Sequence, residues 1–134
     1  MRSITNPNLK LIFLLLSVVI ISCGQSNKKE LLLGRWQFET FELTGKYKDM
    51  SPDALKSDNA INKELILQFT ADNKVTSSQR GGSEMNNSSG TYNLLPDGKL
   101  FMMGDTLRII QLDKNFLKLF KDEESPLVVF TKQH

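Results

Sequence analysis

The chain offers little for nucleophilic or metal chemistry: its single cysteine is Cys23, and its single histidine, His134, is the last residue. One cysteine cannot form a disulfide within the chain, so the fold must hold by packing and sheet hydrogen bonds alone. A terminal imidazole belongs to an end that frays and meets solvent, which sets it apart from a buried catalytic base. No basic run exceeds Lys28-Lys29. The 17 Lys and Arg residues face 15 Asp and Glu residues, and two of the basic ones, Arg2 and Lys10, lie at the very start. From Cys23 onward the charges therefore balance, which excludes the basic face that nucleic-acid binding needs to neutralise phosphates. Long apolar runs are also missing. Leu11 to Ile21, broken only by Ser17, is about eleven residues long, short of the roughly 20 that span a bilayer.

That apolar run carries its own information. Arg2 and Lys10 precede it, and Ile20-Ile21-Ser22-Cys23 ends it. Charged start, short apolar core and small residues at the exit are the parts of a cleaved secretory signal. Two aliphatic residues, a small residue and cysteine resemble the lipobox of bacterial lipoproteins. The resemblance implies cleavage before Cys23, diacylation of its thiol and usually acylation of the new amine. Each buried methylene contributes about 0.8 kcal/mol, so two or three chains anchor a protein stably without a spanning segment. The expected division is a signal peptide over 1–22, a lipidated flexible tether over 23–32 and one domain over 33–134. The expected location is the bacterial cell envelope, on the outer membrane, with the facing leaflet left open.

From Leu33 onward, short apolar-polar stretches alternate with turn signals. Trp36 and Phe38 share one parity, whereas Phe41 and Leu43 take the other, which predicts a bulge or bend near Thr40. Ser51-Pro52-Asp53 reads as a capped helical turn inside a long connection from about Thr44 to Lys63. Seven further strands follow: Glu64 to Thr70, Lys74 to Gln79, Gly90 to Leu95, Lys99 to Met103, Thr106 to Leu112, Phe116 to Lys121 and Leu127 to Lys132. Gly81 to Ser89 reads as a flexible loop. Tight turns join antiparallel neighbours, so the predicted fold is an all-β, eight-stranded antiparallel up-and-down barrel with a short helical turn in its first long connection. A two-sheet sandwich is the competing arrangement.

Gly34-Arg35-Trp36 opens the first strand and resembles the Gly-x-Trp motif of lipocalins. With the eight-strand pattern behind a lipobox, the chain resembles the bacterial lipocalin-like lipoproteins from Leu33 to Lys132. The resemblance implies that Gly34 and Trp36 form the structural motif, that Trp36 closes one end of the barrel and that a basic side chain covers its ring. Lys132 is the candidate for that cation, with Arg108 second. The family's Thr-Asp-Tyr motif is not present; only Asp113 lies near its position.

No catalytic residue, metal ligand or cofactor is expected. Asp122-Glu123-Glu124 lacks the spacing of a calcium loop, and Gly81-Gly82 lacks the lysine of a phosphate loop. The expected function is therefore non-enzymatic: a lipid-tethered monomeric barrel that binds a small apolar or amphipathic ligand inside. Strand parity nominates Trp36, Phe38, Leu65, Leu67, Phe69, Tyr92, Leu94, Leu107 and Ile109 as inward, with Tyr92 or Gln111 orienting the ligand. The alternative is an envelope interaction module with a packed, ligand-free barrel, contacting another envelope protein through its outer surface or the 81–89 loop. The last strands are apolar on both parities, so their outer face must be covered by the chain itself, a partner or a bilayer.

Overall fold

The computed structural model describes residues 26–134. Cys23, the signal region and the start of the expected tether lie outside the described residues. Eight strands form one closed barrel: β1 (Gly34–Glu42), β2 (Ile66–Phe69), β3 (Lys74–Gly81), β4 (Glu84–Leu94), β5 (Lys99–Met102), β6 (Asp105–Leu112), β7 (Phe116–Phe120) and β8 (Leu127–Gln133). Every strand pairs antiparallel with its successor, and β8 returns to pair with β1. The barrel is thus an up-and-down meander closed on itself.

The two ends differ. At the end where β1 begins, the connections are the short turns 70–73, 95–98 and 113–115. At the other end lie the turns 82–83, 103–104 and 121–126 and the long connection from β1 to β2. That connection holds 3-10 turns at Gly45–Tyr47 and Pro52–Leu55 and a helix, α2 (Lys56–Asn62). It is more helical than the sequence suggests. Ser51 accepts a hydrogen bond from the Asp53 N–H at 3.3 Å, and Pro52 supplies a preset φ, so this start is built as the residue types dictate.

Two bulges set which residues point inward. The β1–β8 register shifts between Phe38 and Thr40, which switches parity and turns Trp36, Phe38 and Phe41 all to the inside. The β6–β7 register shifts between Ile109 and Gln111; Ile109 and Leu112 pack on the core while Ile110 is exposed. Trp36, Phe69, Leu32, Leu100, Leu117 and Val75 are the largest fully buried side chains. On the outer face of β7 and β8, Phe120, Leu127 and Val129 form a second buried cluster. The Glu42–Lys118 ion pair (2.8 Å) and the Arg108 guanidinium, 5.4 Å from the Phe120 ring centre, belong to this face. The Tyr47 hydroxyl donates to the Glu124 carbonyl (2.6 Å), tying the long connection to the β7–β8 turn. The two-sided apolarity of the last strands thus has largely an intramolecular answer.

Two expectations need correcting. The segment read as a loose tether is helical over 26–32, here α1, and Leu32 at its end is fully buried in the barrel core. The 81–89 segment, read as a flexible loop, is the tip of a long hairpin in which Gly81 pairs with Glu84 and Lys74 with Thr91. Its Asn and Ser residues lack the β-branched character that marks a strand, but ladder hydrogen bonds to β3 hold them extended.

Candidate binding cavity

Chain direction and residue size divide the barrel interior into a filled half and an open half. In the filled half, Trp36 comes from β1, Phe69 from β2 and Tyr92 from β4. The Phe69 and Tyr92 rings meet edge to face, centres 5.1 Å apart. The Tyr92 hydroxyl donates to the Thr70 carbonyl at 2.8 Å, so its polar end serves the 70–73 turn. Burial, and secondarily the Asp72 charge, push the Tyr92 phenol above its ordinary pKa. Trp36 Nε1 donates to the Leu32 carbonyl (2.8 Å), and Lys132 Nζ donates to the Leu31 carbonyl (2.7 Å). These are orphan carbonyls at the end of α1, where a cation also meets the negative end of the helix dipole.

Lys132 Nζ lies 5.0 Å from the Trp36 ring centre, a contact worth about 0.5–2 kcal/mol. Burial holds the Lys132 ammonium below its ordinary pKa. Gly34 gives the lysine stem room for this stacking. Its φ is +114°, and a Cβ there would stand 3.3 Å from Lys132 Cε. The Gly-x-Trp spacing thus has a local cause: the chain turns sharply out of α1, then lays the tryptophan under the lysine stem.

Toward the other end the barrel widens into a cavity of about 550 Å³. Its wall is apolar: Phe38 and Phe41 from β1, Leu65 and Leu67 on the β2 side, Met102 and Leu107 from β5 and β6, and Leu119, Val128 and Phe130 from β7 and β8. Phe38 meets Phe41 and Phe130 edge to face, with ring centres 4.9 and 6.2 Å away. The rim is polar. Asp58 and Asn62 reach it from α2, and Lys121 and Ser125 from the β7–β8 turn, while Ser77 of β3 stands lower in the wall beside Leu67. Lys121 Nζ pairs with Asp105 at 3.0 Å.

The α2 helix is moored across this mouth. Asn59 Oδ1 accepts from the Phe41 N–H (2.9 Å) beside the β1 bulge, and Gln79 Nε2 donates to the Asn62 side chain (3.2 Å) and the Ile61 carbonyl (3.3 Å). Gln37 Nε2 donates to the Lys63 carbonyl at 3.2 Å. These bonds are exposed or half-buried and no residue of α2 is itself buried, so α2 is a covering element of low local stability.

Met103 has a special place on the rim. It sits at φ +52° in a two-residue turn with Gly104, a conformation that costs a side-chain-bearing residue free energy. The turn directs Met103 against Gly90, where a Cβ would come within 3.1 Å of Met103 Cγ. A flexible thioether is thereby held at the cavity edge, where it can adapt to differently shaped apolar groups.

Of the residues nominated by strand parity, Phe38, Leu65, Leu67 and Leu107 line this cavity. Trp36, Phe69 and Tyr92 fill the closed half instead, and Leu94 and Ile109 pack against that core. Gln111 lies past the β6 bulge, where its Nε2 donates to Asp113 Oδ2 (2.6 Å). Parity reasoning missed Phe41, Leu119, Val128 and Phe130 as wall residues, although the predicted bulge at Thr40 was the signal for Phe41. The rim residues Asp58, Asn62, Lys121 and Ser125 carry no sequence signal. Among the described residues no group of three or more His, Cys, Asp or Glu side chains converges on a point. The arrangement buries apolar surface and offers polar groups at one edge.

No family model matches the sequence, and no curated protein does. Two solved structures share the fold. A lipocalin-like protein from Bacteroides uniformis superposes with a TM-score of 0.54 at 13% identity, covering 77% of this chain and 99% of that one. A DUF4847 family protein from Bacteroides vulgatus superposes with a TM-score of 0.55 at 18% identity, covering 78% of this chain and 96% of that one. The fold is therefore lipocalin-like.

Proposed function

We propose that this chain is a lipid-anchored, non-enzymatic binding protein of the bacterial cell envelope that holds a small apolar or amphipathic ligand in the mouth-end cavity. The observation that carries the reading is the cavity itself. A space of about 550 Å³ with an apolar wall and a polar rim at one edge matches an amphiphile whose body is buried and whose head stays hydrated. Burial of apolar surface supplies the affinity, at roughly 25 cal/mol per Å². Asp58, Asn62, Ser125 and the Lys121–Asp105 pair are the groups available to a polar head. The lipobox resemblance at Cys23 supports the anchor, and with that thiol acylated the chain keeps no cysteine.

Native mass spectrometry of the protein purified from its own membrane tests the reading. The expected spectrum shows a non-covalent adduct beyond the mass of the Cys23 modification, lost on collisional activation. Consistent absence of such an adduct, together with no binding of an apolar fluorescent probe by the purified protein, would sink ligand binding and leave the packed interaction module.

A further inference from the structure

We infer that the filled end of the barrel faces the membrane, so that the cavity mouth opens to the aqueous phase and ligand is exchanged on that side. The inference rests on the lipid anchor at Cys23 proposed above, and its structural ground is the docking of α1. Leu32 is buried in the core, Trp36 and Lys132 donate to the carbonyls of Leu32 and Leu31, and Lys29 Nζ donates to Asn73 Oδ1 (2.7 Å) in the β2–β3 turn. These contacts hold the last turn of α1 on the filled end of the barrel from several directions.

The length of chain left over then fixes the geometry. Along a helix, Ser26 stands roughly 9 Å from Leu32. Cys23 is three residue steps before Ser26, and three steps reach at most about 11 Å. The anchor is therefore confined within about 20 Å of the filled end. The barrel is itself roughly 20–25 Å tall, from a strand rise of about 3.3 Å and a tilt near 40°. Reaching the mouth would take nearly that whole length laid straight along the barrel wall, whereas Lys29 on Asn73 and Lys132 on the Leu31 carbonyl hold α1 at the filled end. A flexible tether from Cys23 to Leu32 would reach up to about 33 Å and permit any orientation; a docked helix does not. Phe116, exposed where β7 begins beside the 113–115 turn, is placed at the same end to enter the headgroup boundary.

The consequence concerns the ligand's route. A cavity opening away from the bilayer does not take up a molecule sliding sideways out of the acyl chains. It takes up one delivered through water, whether dispersed or carried by a soluble partner.

The test uses the full-length, processed lipoprotein carrying Lys114→Cys at the filled end or Ser83→Cys at the mouth end. Acylation consumes the Cys23 thiol, so each engineered thiol labels singly with an environment-sensitive fluorophore. Protein is reconstituted into phosphatidylcholine vesicles containing a headgroup-nitroxide lipid, and vesicle flotation is scored first. The expected result is co-flotation, with quenching severalfold stronger at position 114 than at 83. A flexible Gly-Ser insertion after Gln25 should even out the two signals. Co-flotation with equal quenching at both positions, or stronger quenching at 83, overturns the orientation alone. Protein that does not float overturns the anchor, and the orientation with it.

Discussion

Single side chains at the filled end do structural work that their chemistry alone would not reveal. Asp113 accepts from Gln111 Nε2 and from the backbone N–H groups of Asn115 and Phe116. Those bonds, the Gln111 contact first, hold its carboxyl below the ordinary value of 3.8. The folded-state pKa is depressed, so the stabilisation is present above 3.8 and is lost as pH falls through the lower folded value. Asp113→Asn keeps an acceptor but removes the titration. Unfolding free energy measured against pH should then fall less steeply below pH 3.8 in the variant than in the parent. An unchanged acid limb would show that Asp113 does not contribute to it. Asp72 and Asp97 are depressed in the same direction, by Thr70 and by Lys99 respectively. All three occupy turns at the filled end, and the stabilisation each contributes is lost as pH falls below 3.8. Their role was legible only in part: a sequence marks Asp as a turn former, but not which donors converge on it.

At the level of elements, strands with clear alternation and the capped helical start at Ser51 were readable, and α1 was not. The pattern Leu65, Leu67, Phe69 predicts β2, and the parity switch between Phe38 and Phe41 predicts the β1 bulge, because a closed barrel admits only one inward set per strand. The segment preceding Gly34 looked like a tether because Gln25 to Glu30 has nothing apolar to bury. Its helicity comes from a tertiary cause: Leu32 drops into the core, while Trp36 and Lys132 take up its last carbonyls. Leu32→Ala should therefore cost about 2–5 kcal/mol, as truncation of a fully buried leucine does. It should also release α1, measured as faster hydrogen exchange of the Leu33 N–H, which donates to the Lys29 carbonyl at 3.1 Å. Loss of stability without faster exchange at Leu33 would mean that α1 holds its place by other contacts. The β3–β4 hairpin was hidden for the opposite reason. Its Asn- and Ser-rich tip is exposed on both faces, so no burial pattern exists for a sequence to record.

For the whole molecule, the decisive question is whether the space at the mouth is a defect in packing or a site, and the two differ in sign. A packing defect is relieved by filling it, with no other consequence. A site, when filled, gains stability but loses its ligand. Ser77 lines the cavity from β3 with a small side chain, opposite the apolar wall of β6 to β8. Ser77→Leu inserts apolar volume there and should raise the stability of the ligand-free protein by about 0.5–2 kcal/mol, the usual yield of cavity filling. An apolar fluorescent probe binding the native state stabilises the parent in proportion to the logarithm of its concentration over Kd. In Ser77→Leu that ligand-dependent rise in Tm should largely vanish, even though the starting Tm is higher. Titrating the probe during thermal unfolding of both proteins separates the outcomes. A higher starting Tm with an undiminished ligand shift would place the probe outside this cavity. A lower starting Tm would mean that the mouth, though open, is already as full as its strands allow.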